Sequence, residues 1–218
     1  GLIPRLIAQG FKGVIYGTQA TKELAKILLL DSAKIQEGDL KYKNKRLKAK
    51  GLPPELPLYD EEDVLKALDL FVAVDYHNIT RLTDEASVVF IDAGHIIGSA
   101  SVHLLITEDG KTTQLSFSGD VGQYDDLILK SPQVFPQADY ILLESTYGDK
   151  LHKDAQPTAD ALLEIIKHTC IEKQGKVIIP AFSVGRTQEL LFVLNNLDLA
   201  GTLPAIKVYV DSPLSAKA

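Results

Sequence analysis

The sequence predicts an α/β protein with an antiparallel sheet in its middle and a parallel α/β unit toward its end. At the start of the chain, helical spacing of apolar residues alternates with one short strand. Between residues 71 and 117, short segments rich in β-branched and aromatic residues are separated by turn residues, which is typical of antiparallel strands. After residue 140, apolar strand-like segments alternate with helical ones, which indicates parallel α/β structure.

The first 70 residues are predicted to be mainly helical. Glycines bound the one strand-like segment, three prolines interrupt the second helix or its continuation, and an aspartate precedes the last helix as a candidate N-cap. The predicted elements are a helix over Leu2–Gln9, a strand over Gly13–Gly17, a helix over Thr21–Gln36 that a cationic segment over Lys41–Lys50 follows or continues, a break at Pro53, Pro54 and Pro57, and a helix over Glu61–Leu70 capped by Asp60.

The remaining elements are predicted from β-rich composition and helical spacing. Asp109-Gly110 is a strong signal for a tight hairpin turn, so Ser101–Phe117 is predicted to form one hairpin. The antiparallel strands are expected at Val72–Val74, Val88–Ile91, Val102–Ile106 and Gln114–Phe117; they are followed by strands at Tyr140–Glu144, Lys176–Ala181 and Ile206–Asp211, and by helices at Thr158–Glu172 and Arg186–Leu197.

Composition bounds the class of protein. The chain has 218 residues, of which 45% are hydrophobic and 24% charged, as in folded soluble proteins. No apolar run reaches the roughly 18 residues of a membrane span, and the single Cys170 cannot form an internal disulfide, so no membrane association and a cytoplasmic location are expected. The net charge of −6 argues against a generally basic nucleic-acid binder, although a local groove could still be positive. Because methionine is absent even at position 1, we expect a piece of a longer protein.

Three apolar strands end in residues that can carry chemistry: His95 in Asp92-Ala93-Gly94-His95, Asp120 in Ser118-Gly119-Asp120, and Glu144 in Leu143-Glu144-Ser145. Imidazole nitrogen and carboxylate oxygen both bind zinc at about 2.0–2.2 Å. From the residues alone, two interpretations of His95 and Asp120 remain open. Either they bind zinc, or His95 is a polar loop residue beside an aspartate that caps a turn.

Four segments resemble the β-CASP branch of the metallo-β-lactamase superfamily, the zinc nucleases that process RNA ends. They are FIDAGHIIGSASVHL, LSFSGDVGQYD, ADYILLESTYGDKLH and KVIIPAFSVGRTQELL, and their order and spacing match that branch. The resemblance implies a partial αββα metallo-β-lactamase sandwich over residues 1–148 and, over 149–218, the beginning of an inserted parallel α/β β-CASP domain. The His-x-His-x-Asp-His signature of that family would precede Gly1, so we expect an interior piece.

The resemblance also implies roles for individual residues. His95 would ligate one zinc ion, Asp120 would bridge two, and Glu144 would orient a later histidine by a hydrogen bond. Separately, Ser183 is a candidate cap for the predicted helix over Arg186–Leu197. The family resemblance adds a second interpretation, in which Ser183, Gly185 and Arg186 contact a phosphate; simple capping beside an exposed arginine is the competing one.

The leading hypothesis is a two-zinc ribonuclease that hydrolyses RNA phosphodiester bonds, with RNA as substrate and a homodimer or a processing complex as its assembly. The alternative is a non-catalytic β-CASP scaffold that binds RNA or protein partners. A small-molecule hydrolase of the same superfamily is disfavoured because ESTYGD and GRTQELL resemble the nucleic-acid branch. With only two candidate metal ligands, the isolated chain is expected to be inactive.

Other polar residues are better explained by structure than by chemistry. The cationic segment Lys41–Lys50 could guide an RNA backbone, but a solvated helix face is the favoured interpretation. Asp92 is expected to order the loop that carries His95 through backbone hydrogen bonds. Structural rather than ligand roles are predicted for His77, His103, His152 and His168, and a packing role for Cys170.

Overall fold

The computed structural model describes residues 1–150 and 158–217, and the chain divides into two units. The first unit comprises Gly1–Tyr124 and Lys130–Leu143. The second comprises Asp125–Leu129 and the residues that follow Leu143. Helices and strands are mixed, so the α/β class predicted from the sequence is confirmed.

The first unit begins with three helices and a small sheet. These elements are α1 (Ile3–Ala8), β1 (Ile15–Gly17), α2 (Gln19–Ala49), α3 (Glu61–Asp69) and β2 (Phe71–Ala73). Thr18 caps α2 by accepting from the amide of Thr21, and Asp60 forms a capping box with Asp63 at α3. The three predicted helices are therefore confirmed, and the cationic segment is the continuation of α2.

The strand β2 pairs with β1 in parallel, with Ile15 opposite Phe71, in a two-stranded sheet of its own. The prediction that Val72–Val74 belongs to the antiparallel sheet was therefore wrong. The physical reason is that β-rich composition favours a strand without specifying its partner, whereas the helical connection through α2 and α3 returns the chain in the parallel direction.

A five-stranded sheet follows, made of β3 (Thr80–Arg81), β4 (Ala86–Asp92), β5 (Ala100–Glu108), β6 (Lys111–Phe117) and β7 (Tyr140–Leu142), in that spatial order. The first four strands are antiparallel neighbours, and β7 pairs with β6 in parallel. The predicted hairpin is confirmed. Asp109 and Gly110 both have positive φ, 49° and 76°, as a two-residue type I′ turn requires.

The order of these strands places three strand ends at one edge of the sheet. Because β5 runs antiparallel to both neighbours, β4 and β6 point in the same direction, and β7 points with them. The segment Val88–Ile91 of β4 is buried at four consecutive positions, so this strand is covered on both faces. The strand that precedes His95 is thus a rigid support.

The second unit is helical in the residues that the structure describes. It contains α4 (Thr158–Ile166), a π-helical continuation (Lys167–Glu172) and α5 (Arg186–Leu199). The helices pack through a core cluster that consists of Leu162, Ile166, Val193 and Leu197. Cys170 is partly buried against this cluster, so its predicted packing role is confirmed.

Two predicted strands are absent from the described part of this second unit. The segments Lys176–Ala181 and Ile206–Asp211 line one apolar pocket but form no strand there, so both predictions were wrong. Apolar, β-branched composition makes a segment suitable for a sheet, but a strand forms only with a hydrogen-bonded neighbour, and isolated pairs are marginal. As for membranes, none of the helices in residues 1–150 and 158–217 is long and apolar enough to span one.

The packing of α3 against α2 can be tested by shortening one fully buried side chain. Val64 is completely buried in the cluster with Leu29, Ala33 and Tyr59, so Val64→Ala should lower the free energy of unfolding by roughly 1–3 kcal/mol. Urea unfolding measures the change. The matched control is Val134→Ala, which removes the same atoms from a side chain that is 90% exposed and should change stability little. Equal losses for both variants would contradict this packing.

Candidate metal centre

The structure brings His95 and Asp120 together. His95 follows β4 and Asp120 follows β6, the two strands that flank β5 and end at the same edge. His95 Nε2 lies 3.7 Å from Asp120 Oδ2, and the two side chains are 44% and 73% exposed. A solvent-accessible imidazole and carboxylate therefore face each other across the start of β5.

The loop that carries His95 is held by its own polar groups. Asp92 Oδ1 accepts a hydrogen bond from the amide of Gly94 at 2.9 Å, which confirms the predicted role of Asp92. Ser99 Oγ accepts from the amides of His95 and Ile96 at 3.0 and 3.3 Å. These bonds fix the backbone of His95 from both sides, so the direction of its side chain is set by the loop.

The N-terminus of α2 braces the same loop from the outside. The hydroxyls of Thr18 and Thr21 lie 2.9 and 2.8 Å from the carbonyl oxygen of Gly98. Gly98 has φ +81°, and a Cβ there would lie 2.6 Å from the amide nitrogen of Thr21, so the close approach requires glycine. The start of helix α2 therefore helps to hold the loop that carries His95.

Tyr76 adds a further brace. Its hydroxyl donates to the carbonyl oxygen of Ser99 at 2.9 Å. Partial burial, and secondarily the carboxylate of Asp92, raises the pKa of Tyr76 above its ordinary value, although Thr18 opposes the shift by a hydrogen bond. Tyr76 therefore remains a neutral donor to the loop through the physiological pH range.

The loop that carries Asp120 is anchored to both β5 and the His95 loop. Ser101 Oγ donates to the carbonyl oxygen of Ser118 at 2.8 Å, two residues before Asp120. The amide of Gly122 donates to the carbonyl oxygen of Ala93 at 2.8 Å. A Cβ on Gly122 would lie only 1.8 Å from the carbonyl oxygen of Gly94, so the two loops meet backbone to backbone.

The chemistry and spacing of His95 and Asp120 fit a shared metal ion. Two donors bound at about 2.1 Å to a tetrahedral ion are roughly 3.4 Å apart, close to the 3.7 Å between Nε2 and Oδ2. Over residues 1–150 and 158–217, however, no cluster of three or more histidine, cysteine, aspartate or glutamate side chains could hold a metal. The pair is therefore suited to supply part of a ligand set.

Glu144 begins the second unit, two residues after β7 ends. Its Oε2 accepts a hydrogen bond from the hydroxyl of Thr146 at 2.7 Å. This bond orients the carboxylate locally within the segment that resembles the β-CASP signature.

The second predicted cluster differs from expectation at Ser183. Helix α5 begins at Arg186 with Gly185 as N-cap, at φ 86°, and no side chain caps it. Ser183 Oγ instead lies 3.1 Å from Ser212 Oγ, so the prediction that Ser183 caps the helix was wrong. The positive φ of Gly185, which glycine adopts readily, turns the chain between Ser183 and the helix. Arg186 pairs with Glu189 at 2.7 Å.

The remaining histidines have structural environments in the described residues. His103 is buried on β5, and its Nδ1 lies 2.8 Å from Ser116 Oγ on β6, as a sheet residue should. His168 Nδ1 lies 2.8 Å from a carboxylate oxygen of Glu172. The amide of His77 donates to the carbonyl oxygen of Phe90. His152 lies outside the described residues.

Sequence reasoning missed the residues that brace the loops. Thr18 and Thr21 stand at a helix start, where a hydroxyl pair is a capping signal, but nothing in the pattern indicates that they also reach Gly98. Tyr76 and Ser101 carry no local signal, because their partners Ser99 and Ser118 lie 23 and 17 residues away.

Similar proteins are known under ribonuclease and transcription-termination names. The chain is 34% identical over its full length to a ribonuclease of Thermus thermophilus, of which it covers 44%. It is 32% identical over 97% of its length to transcription termination factor FttA of Methanosarcina mazei, covering 31% of that protein. It is also 32% identical over 95% of its length to an endoribonuclease of Schizosaccharomyces pombe, covering 25%. The chain thus spans less than half of these relatives. No family model matches it.

The backbone contact between the two loops can be tested at Gly122. Gly122→Ala places a methyl group against the Gly94 carbonyl, and overpacking of this kind should cost roughly 1–3 kcal/mol of unfolding free energy. The matched control is Gly38→Ala within α2, where an added Cβ meets nothing within 4 Å and helix propensity should raise stability. Chemical denaturation of both variants gives the comparison. Loss of stability in the control, or none at Gly122, would contradict the contact.

The environment of Tyr76 predicts a dependence of stability on alkaline pH. Because the folded state raises its pKa, the folded protein holds this proton more tightly, so the contribution is complete below about pH 10 and is lost as pH rises through the folded pKa. The wild-type chain should therefore lose more stability between about pH 9 and pH 11 than Tyr76→Phe. Tyr209→Phe, at a ring that is 79% exposed, is the control and should match the wild type. Identical profiles for wild type and Tyr76→Phe would refute the assignment.

Proposed function

Because the chain belongs to the β-CASP family of the metallo-β-lactamase superfamily, we propose that the whole protein is a zinc-dependent ribonuclease that hydrolyses RNA phosphodiester bonds. The observation that carries the proposal is the meeting of His95 and Asp120 at 3.7 Å. The names of the relatives, a ribonuclease and an endoribonuclease among them, support RNA as the substrate.

His95 and Asp120 would hold two zinc ions together with ligands from the rest of the protein. An imidazole offers one nitrogen to one cation, whereas the carboxylate of Asp120 can offer one oxygen to each of two. When bound, the metal supplies Lewis-acid stabilisation of the charge that develops on the phosphoryl oxygens. The role of this chain is to orient the two side chains. The hydrogen bond of Ser99 would hold the loop of His95, and that of Ser101 the loop of Asp120, before any metal binds.

Glu144, Gly185 and Arg186 would act on other parts of the reaction. Glu144 would orient a histidine elsewhere in the protein by a hydrogen bond, a role that suits a carboxylate already fixed by Thr146. The amides at the start of α5 and the guanidinium of Arg186 would contact phosphate, and Arg186 would exchange its ion pair with Glu189 for one with the substrate. Ser183, whose hydroxyl lies beside that of Ser212, would also contact the phosphate.

For the fold, we propose that residues 1–148 belong to an αββα metallo-β-lactamase sandwich and that residues 149–218 begin the inserted β-CASP domain. The division of the chain close to Leu143 supports this assignment. The burial of β4 on both faces also supports it, because a strand inside a layered α/β sandwich is covered on both sides.

The proposal is tested on the whole protein with labelled RNA and zinc analysis by mass spectrometry. His95→Ala and Asp120→Asn should each lower the cleavage rate more than about 100-fold, because even residues that merely support metal ligands typically cost 10- to 100-fold. Both variants should also bind less zinc. Matched controls are His168→Ala and Asp69→Asn, at exposed positions, which should cleave at the wild-type rate.

One result would count against this function. A whole protein that binds RNA but holds no zinc and leaves RNA intact would indicate the non-catalytic scaffold. A different result would contradict only the expectation that this segment alone is inactive: measurable cleavage by the highly purified 218-residue chain, abolished in His95→Ala.

A further inference from the structure

The C-terminal half of α2 carries an exposed aromatic ring among cations. We define the α2 patch by the four residues on this surface, which are Lys41, Tyr42, Lys45 and Arg46. All four are exposed, and the ring of Tyr42 is 79% exposed. Several other rings of the chain are similarly exposed, so what distinguishes Tyr42 is its position among three cations on one helix.

The patch lies on the side of α2 that faces away from the core. Ala33 is fully buried in the cluster with Val64, and Tyr42 follows it by nine residues. At about 100° per residue, nine residues place Tyr42 on the opposite side of the helix. Lys45 and Arg46, three and four residues further on, are its neighbours on that surface.

The connector after α2 covers a different side of the helix. Asn44 exchanges two hydrogen bonds with the backbone of Glu55, at 2.9 and 2.8 Å, and the Glu55 carboxylate pairs with Lys43. Among the described residues, no carboxylate lies within ion-pair distance of Lys41, Lys45 or Arg46. Within the described part of the chain, the three cations of the α2 patch therefore carry no ion pair, although the whole chain has a net charge of −6.

The surface around Tyr42 leaves its ring accessible. Gly38 lies one turn before it, and nothing lies within 4 Å of the position of a Cβ there. Ala49, two turns after Tyr42, is also small and exposed. A planar group can therefore approach the ring without displacing a side chain, while the cations on either side attract negative charge.

We propose that the α2 patch binds single-stranded RNA, with Tyr42 stacking on a base and the three cations contacting phosphates. Proteins that bind single-stranded nucleic acid combine aromatic rings that stack on bases with cations that contact the phosphates. An acidic protein surface would also bind the cations, but it offers no base to stack on Tyr42. The choice of RNA rests on the proposed function, and the binding itself needs no metal. The α2 patch is a second contact for the substrate, separate from His95 and Asp120.

The test is fluorescence anisotropy of a labelled 12-nucleotide oligouridylate with the 218-residue chain in a metal chelator at low salt. Tyr42→Ala should weaken binding roughly 5- to 100-fold, and Tyr42→Phe should retain it, because a phenyl ring also stacks. The triple variant K41Q/K45Q/R46Q should weaken binding and reduce the dependence of log affinity on log salt by about two, at roughly 0.7 per phosphate contact. The charge-matched control K12Q/K111Q/K173Q, at exposed lysines elsewhere, should change neither quantity by a comparable amount.

Several results would overturn the inference. They are no binding of the oligouridylate by the wild-type chain, wild-type affinity in Tyr42→Ala, equal losses in the two triple variants, and binding of a polyglutamate peptide as tight as that of RNA. All variants replace exposed residues, and circular dichroism checks their folding. The two proposals fail separately. Loss of RNA cleavage by the whole protein in His95→Ala tests the proposed catalytic function, whereas loss of oligouridylate binding by the chain in Tyr42→Ala tests only the α2 patch.

Discussion

The pairing of β5 with both β4 and β6 is the constraint on which the candidate site depends. Asp92 lies opposite Ala100, and Phe117 lies opposite Val102, so β4 and β6 end within two residues of each other along the intervening strand. A slip of one residue in either pairing would turn every side chain of a strand to the other face. The buried run Val88–Ile91 opposes such a slip because it would have to move through a packed interior.

The loops beyond these strands are stabilised by backbone contacts and hydroxyl groups rather than by the pair itself. His95 and Asp120 are largely solvent-exposed, and exposed charges contribute little to stability. Gly122 joins the two loops through the Ala93 carbonyl, Ser101 holds the Ser118 carbonyl, and the start of α2 holds that of Gly98. Neutral hydrogen bonds therefore hold the two loops in place. The imidazole of His95 and the carboxylate of Asp120 are not needed for this, so both can bind a cation in place of their contact with each other. Pre-organisation of this kind is what a metal site requires.

The sequence predicts an element correctly where neighbouring residues alone determine it. Asp60 before an amphipathic helix, and Asp109-Gly110 between two β-rich segments, each specify their element through neighbouring residues alone. The association of His95 with Asp120 came from motif order and from the rule that strand ends gather at a sheet edge. Composition does not specify the partner of a strand, so it predicts β2 in the wrong sheet and predicts strands at two β-rich segments of the second unit that form none. The bonds from Tyr76 to Ser99 and from Thr18 to Gly98 join residues 23 and 80 positions apart, beyond the reach of any spacing rule.

The central claim is that an imidazole and a carboxylate from two strands of one sheet share a metal ion. The most direct measurement is a crystal structure of the whole protein loaded with zinc, with anomalous differences recorded at the zinc absorption edge. The account predicts a zinc peak about 2.0–2.2 Å from both His95 Nε2 and an Asp120 carboxylate oxygen. Zinc bound elsewhere, with the His95 and Asp120 side chains pointing into solvent and ligating nothing, would contradict it.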